Sequence, residues 1–134
     1  RKERFNMIYN NFKIKSNEDI LFINNVSENS EYLILDSSFS VEFKTFFGLI
    51  GTTFFIFKGN CEIYISKDDL ENGSKNFLKN AKFRKFKCES VYDTYHKGTF
   101  KDIYGDCIFS QNIDGMIKAI IENSKLKIST NIEE

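Results

Sequence analysis

Few side chains in this sequence have the chemistry of a catalyst. His96 is the one histidine, and Cys61, Cys88 and Cys107 are the three cysteines. A thiol becomes a nucleophile when a nearby base draws off its proton, so His96 with Cys88 or Cys107 is the pair to weigh. Neither cysteine carries a local signature, and His96 adjoins Lys97-Gly98, a turn sequence in which an exposed, ordinary histidine is expected. Asp102 and Asp106 straddle Gly105 and could meet across a turn, the arrangement that carboxylate acid–base chemistry needs. A small enzyme with a cleft of His96, Asp102, Asp106 and Cys107 is therefore one reading. The adjacent acids Glu18-Asp19 and Asp68-Asp69 read as solvated pairs at a loop and a helix start. Catalytic serine, zinc-protease, phosphate-loop and dinucleotide glycine patterns are all missing from the sequence. Gly48-Leu49-Ile50-Gly51 lacks the lysine and the following helix that a phosphate cradle requires.

Metal binding needs several His, Cys or carboxylate ligands converging at a suitable spacing. One histidine and three widely spaced cysteines, each in an apolar strand-like context, point to no metal and no cofactor. The thiols are expected free and buried, as in a reducing cytosol; the alternative is one disulfide and one free thiol in a secreted protein. Arg1–Asn11 has no signal-like apolar run, and Phe46–Ile50 and Phe54–Phe57 are far too short to cross a bilayer. A cytoplasmic location without membrane contact follows as the expectation.

Charge is arranged unevenly. The chain balances 19 basic against 19 acidic residues, yet no Lys or Arg occurs between Lys15 and Lys44. That stretch holds Glu18, Asp19, Glu28, Glu31, Asp36 and Glu42. From Ser74 to Lys101 the balance reverses, with Lys75, Lys79, Lys82, Arg84, Lys85, Lys87, Lys97 and Lys101 against Glu89 and Asp93. The two regions either face one another in the fold or present opposite charge to partners. An acidic face steers a basic protein and rejects acidic ones. A basic stretch with Phe77, Phe83 and Phe86 interleaved would instead grip phosphates while rings stack on bases. Nucleic-acid binders usually carry net positive charge, and this chain carries none, so a protein partner is preferred.

The elements that must position these groups follow from periodicity. At 134 residues the chain fits one domain, 1–134. With 15 Phe, 6 Tyr and no Trp, aromatic rings are expected to fill most of the interior. Asp19–Asn24 and Glu31–Asp36 read as strands around a turn at Asn25–Ser30. Phe39, Val41, Phe43, Thr45 and Phe47 alternate with polar residues as a half-buried strand does. Thr52–Lys58 and Cys61–Ser66 follow, separated by turns at Gly48–Gly51 and Gly59-Asn60. Ser66 with Asp68 and Asp69 predicts a helix start, either one turn and a second helix from Ser74 or a weak helix to Ala81. Phe83–Glu89, Val91–His96 and Asp106–Ser110 predict strands, with turns at Lys97-Gly98 and Gly105. Ile113, Met116, Ile117, Ile120 and Ile121 recur at helical spacing, capped by Ser110 or Asn112, and Lys125–Thr130 predicts an edge strand.

The fold class expected is therefore α+β: an antiparallel meander of about five to seven strands, with a C-terminal helix and a weaker central helix packed on it. The function expected is non-enzymatic protein binding, as an inhibitor or neutraliser of a basic partner such as a toxin-immunity protein. Its binding residues would be Glu18, Asp19, Glu28, Glu31, Asp36 and Glu42, with Tyr32 as aromatic anchor. An RNA-binding domain using Lys79–Lys87 and the small enzyme are the alternatives.

Overall fold

Alternating apolar and polar residues place most of the described residues in strands, and two sheets result. The structure, a computed structural model, describes residues 6–46, 52–72, 77–93, 98–99 and 113–130. Strands β3 (Leu21–Glu28), β4 (Tyr32–Phe46), β5 (Thr52–Ser66), β6 (Lys82–Asp93) and β7 (Gly98–Thr99) form an antiparallel sheet in that order. Strands β1 (Met7–Tyr9), β2 (Phe12–Lys15) and β8 (Lys127–Thr130) form a second sheet in the order β1-β2-β8. Helix α1 (Lys67–Glu71) follows β5, and helix α2 (Ile113–Ser124) precedes β8. The architecture is mixed α+β with antiparallel sheets.

The predicted strands are longer and fewer than the glycines suggest. Glu31–Asp36 and Phe39–Phe47 merge into the 15-residue β4, and Thr52–Lys58 and Cys61–Ser66 merge into the 15-residue β5. Gly59-Asn60 is not a turn. It sits where the β5–β6 register shifts, opposite an extra residue of β6 at Glu89, and belongs to a continuing strand. Likewise β3 runs through Asn25–Glu28, which reads as a turn in sequence. An extra residue at Asn24 shifts its phase, so that Leu21, Ile23 and then Val26 point inward. Lys85 does the same in β6: its φ of 54° marks a bulge that leaves Arg84 and Lys85 both exposed and returns Phe86 to the inner side.

One face of the five-stranded sheet is thereby apolar. Leu33, Leu35, Phe39 and Val41 of β4 and Cys61, Ile63 and Ile65 of β5 are buried on it, against Phe12 and Ile14 of β2, Ile120 of α2 and Leu126. Among the described side chains, which exclude those of 43–46, 52–57 and 88–93, the buried core is mainly aliphatic, and Phe12 and Phe39 are its buried rings. Ser37 is the polar exception on β4; its hydroxyl donates to the Cys61 carbonyl at 3.1 Å, which satisfies it inside the sheet.

The helices follow their end signals. Ser66 caps α1, its Oγ accepting from the Asp69 amide, and Leu70 anchors the helix in the core. No weak helix reaches Ala81, because α1 ends at Glu71 and residues 77–80 form turns. Helix α2 packs on β3 and β4 through Ile120, with Ile117 and Ile121 half-buried. Its C-terminus is closed by Lys125 in the left-handed region, whose amide donates to the Ile121 carbonyl at 3.2 Å. The first and last described strands share the small sheet, where Phe12 pairs with Thr130 and Ile14 with Ile128. That sheet's first two strands carry no strand prediction from sequence.

Candidate functional site

The face of the five-stranded sheet opposite the core carries the charged and aromatic residues. Strand alternation puts Tyr32, Ile34, Asp36, Ser38, Ser40 and Glu42 of β4 there, with Lys58, Asn60, Glu62 and Tyr64 of β5. From β6 come Lys82, Arg84 and Lys87, and the bulge adds Lys85. Register aligns Ile34 with Tyr64 and Lys82 in one row and Asp36 with Glu62 and Arg84 in the next.

Within this face the groups interlock. The Tyr32 and Tyr64 rings meet edge to face with centroids 5.7 Å apart. Lys82 Nζ lies 5.6 Å from the centre of the Tyr32 ring, and the Arg84 guanidinium lies 5.4 Å from that of Tyr64. Each cation is held by the negative face of a ring. Lys85 Nζ approaches Glu62 Oε2 at 3.5 Å, and the Tyr64 hydroxyl donates to Glu62 Oε1 at 3.2 Å. Part of the basic segment thus folds onto this face beside the acidic one, but the two do not simply cancel.

The seven residues expected to bind a partner fall into four places. Glu28, Glu31 and Tyr32 lie at the β3–β4 turn, organised by Asn29, whose Oδ1 accepts from the amides of Glu31 at 2.8 Å and Tyr32 at 2.6 Å. Asp36 is the fifth residue of β4, and Glu42 lies further along the outer face, roughly 33 Å from Tyr32 at the usual strand rise. Glu18 and Asp19 sit in the turn before β3, where Asn6 Nδ2 donates to Glu18 Oε2 at 2.9 Å. They do not form one compact cluster.

Glu28 has a different job from the other acids. Its carboxylate accepts from Lys67 Nζ at 2.8 Å and from Asn10 Nδ2 at 2.5 Å, joining the β3–β4 turn to α1 and to the β1–β2 turn. The Lys67 hydrogen bond holds its pKa below the usual carboxylate value. Glu31, Asp19, Asp36 and Glu42 are exposed.

Two residues that matter here, Tyr64 and Glu62, are absent from the sequence-derived set. Their signal is in the alternation of Cys61–Ser66, which turns both outward while Cys61, Ile63 and Ile65 turn in. The basic–aromatic grouping, in turn, is undone by strand geometry. Phe83 and Phe86 point to the inner side, where Phe86 stacks on Phe39 at 5.2 Å, so they do not share a face with Lys82, Arg84 and Lys87.

A second feature lies at the sheet's inner margin. A groove of about 820 Å³ runs between α2 and the 78–86 segment, lined by Leu78, Ala81, Phe83, Phe86, Ile117 and Ile121, with Lys79, Lys118 and Glu122 also on its walls. Cys61 is buried as a free thiol whose pKa burial pushes up to about 11, the opposite of what an activated nucleophile needs. His96, Cys107, Asp102 and Asp106 lie outside the described residues, as does the side chain of Cys88. Among the described residues no cluster of metal-ligating side chains occurs, and no helix is long and apolar enough to cross a membrane. Comparison with protein-family models, with curated proteins and with solved structures returns no match to this chain.

Proposed function

We propose that this chain is a non-enzymatic protein-binding domain that inhibits or neutralises a basic partner, as a toxin-immunity protein does, and that it docks through the outer face of its large sheet. The observation that carries the reading is the composition of that face along β4. Tyr32 is half-exposed and braced by Tyr64, Glu31 is exposed beside it, and Asp36 and Glu42 are exposed further along the same strand. Braced tyrosines supply large contact area at low entropic cost, and exposed acids steer a cationic partner and fix its register. The acids held in ion pairs, Glu28 and Glu62, are both partly buried. RNA binding is the weaker reading, because the phenylalanines point to the core side and a cation lies over each tyrosine ring. Asp36 and Glu62 on the same face would also repel phosphates.

The test is capture of partner from the native host by wild-type chain and by two folded charge variants. Asp36→Lys with Glu42→Lys should weaken capture chiefly by slowing association, and the loss should shrink as salt approaches about 0.5 M, where screening acts within a few ångströms. Lys82→Glu with Lys87→Glu should leave capture intact. Capture indifferent to the acidic pair but abolished by the lysine pair overturns the reading.

A further inference from the structure

Charge on the outer face is sorted by strand. Strand β4 contributes Asp36 and Glu42, β6 contributes Lys82, Arg84 and Lys87, all exposed, and β5 lies between them. In the Asp36 row this layout is complementary to itself, whereas Lys87 shares its row with Ser38 and Glu42 shares its row with Tyr92. A two-fold axis lying between two copies and running along β5 places β4 of each over β6 of the other, at the same height along the strands. Asp36, Glu62 and Arg84 share one register row, so that rotation sets Asp36 opposite Arg84 of the second copy, and does so twice. In the next row Ile34 comes against the stem of Lys82 while Tyr64 meets its counterpart on the axis. Sheets packed face to face stay about 10 Å apart, which Arg, Lys and Tyr side chains span from either side.

Two further details fit this arrangement. Glu62 lies on the axis and would meet its own copy, but the β6 bulge turns Lys85 outward to within 3.5 Å of it, reducing that repulsion. The chain carries no net charge, so no overall repulsion opposes two copies approaching. Lys58 of β5 also meets its counterpart, a like-charge contact that subtracts from the interface.

We propose that this chain forms a symmetric dimer through the outer faces of its five-stranded sheets, a second copy being the occupant of that face. The dimer uses the surface assigned above to partner binding but does not rest on that assignment. If both hold, the dimer must open before a partner can dock.

Sedimentation equilibrium on the purified chain, with no partner present, tests the dimer alone. Wild-type protein should show a concentration-dependent dimer that weakens with added salt. Asp36→Lys alone, and Lys82→Glu with Arg84→Glu alone, should each raise the dimer dissociation constant at least about tenfold while circular dichroism shows both still folded. Mixing the two variants should restore association as a heterodimer, because each supplies the charge the other lacks. A wild-type chain that stays monomeric at about 0.5 mM, a concentration well above that of ordinary complexes, overturns the proposal. So does a dimer that survives both reversals, or variants that fail to complement. Partner capture by the monomeric variants, measured separately, reports on the docking function.

Discussion

Cys61 shows how burial alone can set a side chain's chemistry. It lies on the core face of β5, and desolvation is the main cause that raises its pKa to about 11, against an ordinary thiol near 9. Native protein should therefore react slowly with thiol reagents at Cys61, and the denatured chain quickly. The sign of the linked pH effect is fixed. Between about pH 9 and 11 the unfolded thiol ionises while the folded one keeps its proton, so the unfolded state is favoured as pH rises. The loss approaches roughly 2 to 3 kcal/mol by pH 11 at two pKa units of difference. Chemical denaturation of wild-type and Cys61→Ala protein across that range isolates it: the wild-type curve should fall more steeply. Equal slopes would show that Cys61 ionises as readily in the fold as in the unfolded chain. Glu28 works in the opposite direction. Its folded pKa is depressed by Lys67, so its contribution is present above the unfolded carboxylate value and fades as pH falls through the folded one. Glu28→Gln should flatten the acid limb of the stability profile, a change readable from thermal midpoints between about pH 5 and 2.

At the scale of elements, helix α2 separates two roles that one apolar stripe suggests in sequence. Ile120 is 2% exposed against β3 and β4, whereas Ile117 lines the open groove. Ile120→Ala should cost about 2 to 5 kcal/mol, and Ile117→Ala markedly less, in urea unfolding. Comparable losses would place Ile117 in the core. The helix end gives a gain instead. Lys125 holds φ at 53°, a conformation that glycine adopts without strain, so Lys125→Gly should stabilise the chain by roughly 0.5 to 1 kcal/mol. The existence of α2, the Ser66 cap and the inward set Cys61, Ile63 and Ile65 were legible because each depends on local spacing. The joins within β4 and β5 were not, since a glycine inside a strand has the same sequence as a glycine in a turn, and only pairing with a neighbouring strand distinguishes them. The same reason hid the site. One extra residue at Lys85 decides that the cations and phenylalanines of β6 part company, and Tyr32 reaches Tyr64 only through β4–β5 register. The acidic stretch was visible as composition, yet Glu28's bonds to Asn10 and Lys67 come from residues distant in sequence.

At the scale of the whole molecule, the small sheet ties the beginning of the described chain to its end. Strand β8 pairs with β2 across nearly the full sequence, and Leu126 just before it is buried with Phe12 and Ile14. The Asn17 amide donates to the Ser124 carbonyl at 2.7 Å, fastening the segment after β2 to the end of α2. Without β8, strand β2 has only the three-residue β1 beside it, and a two-stranded hairpin is barely stable in water. Ending the chain at Lys125 removes Leu126 and all four β8 residues, which uncovers Phe12 and Ile14 and frees the edge of β2. Amide exchange in β1 and β2 should then become fast, although these residues lie more than a hundred positions away. The core loses the buried Leu126 and the partly buried Ile128, so the urea midpoint of the whole chain should drop rather than that of one end. Replacing Leu126 by Ala in the full-length chain separates packing from pairing: it should lower the midpoint while leaving β2 amides protected. Slow exchange at Phe12–Lys15 in the shortened chain would show that β2 is held by the core alone, and that closure by β8 contributes little to the fold.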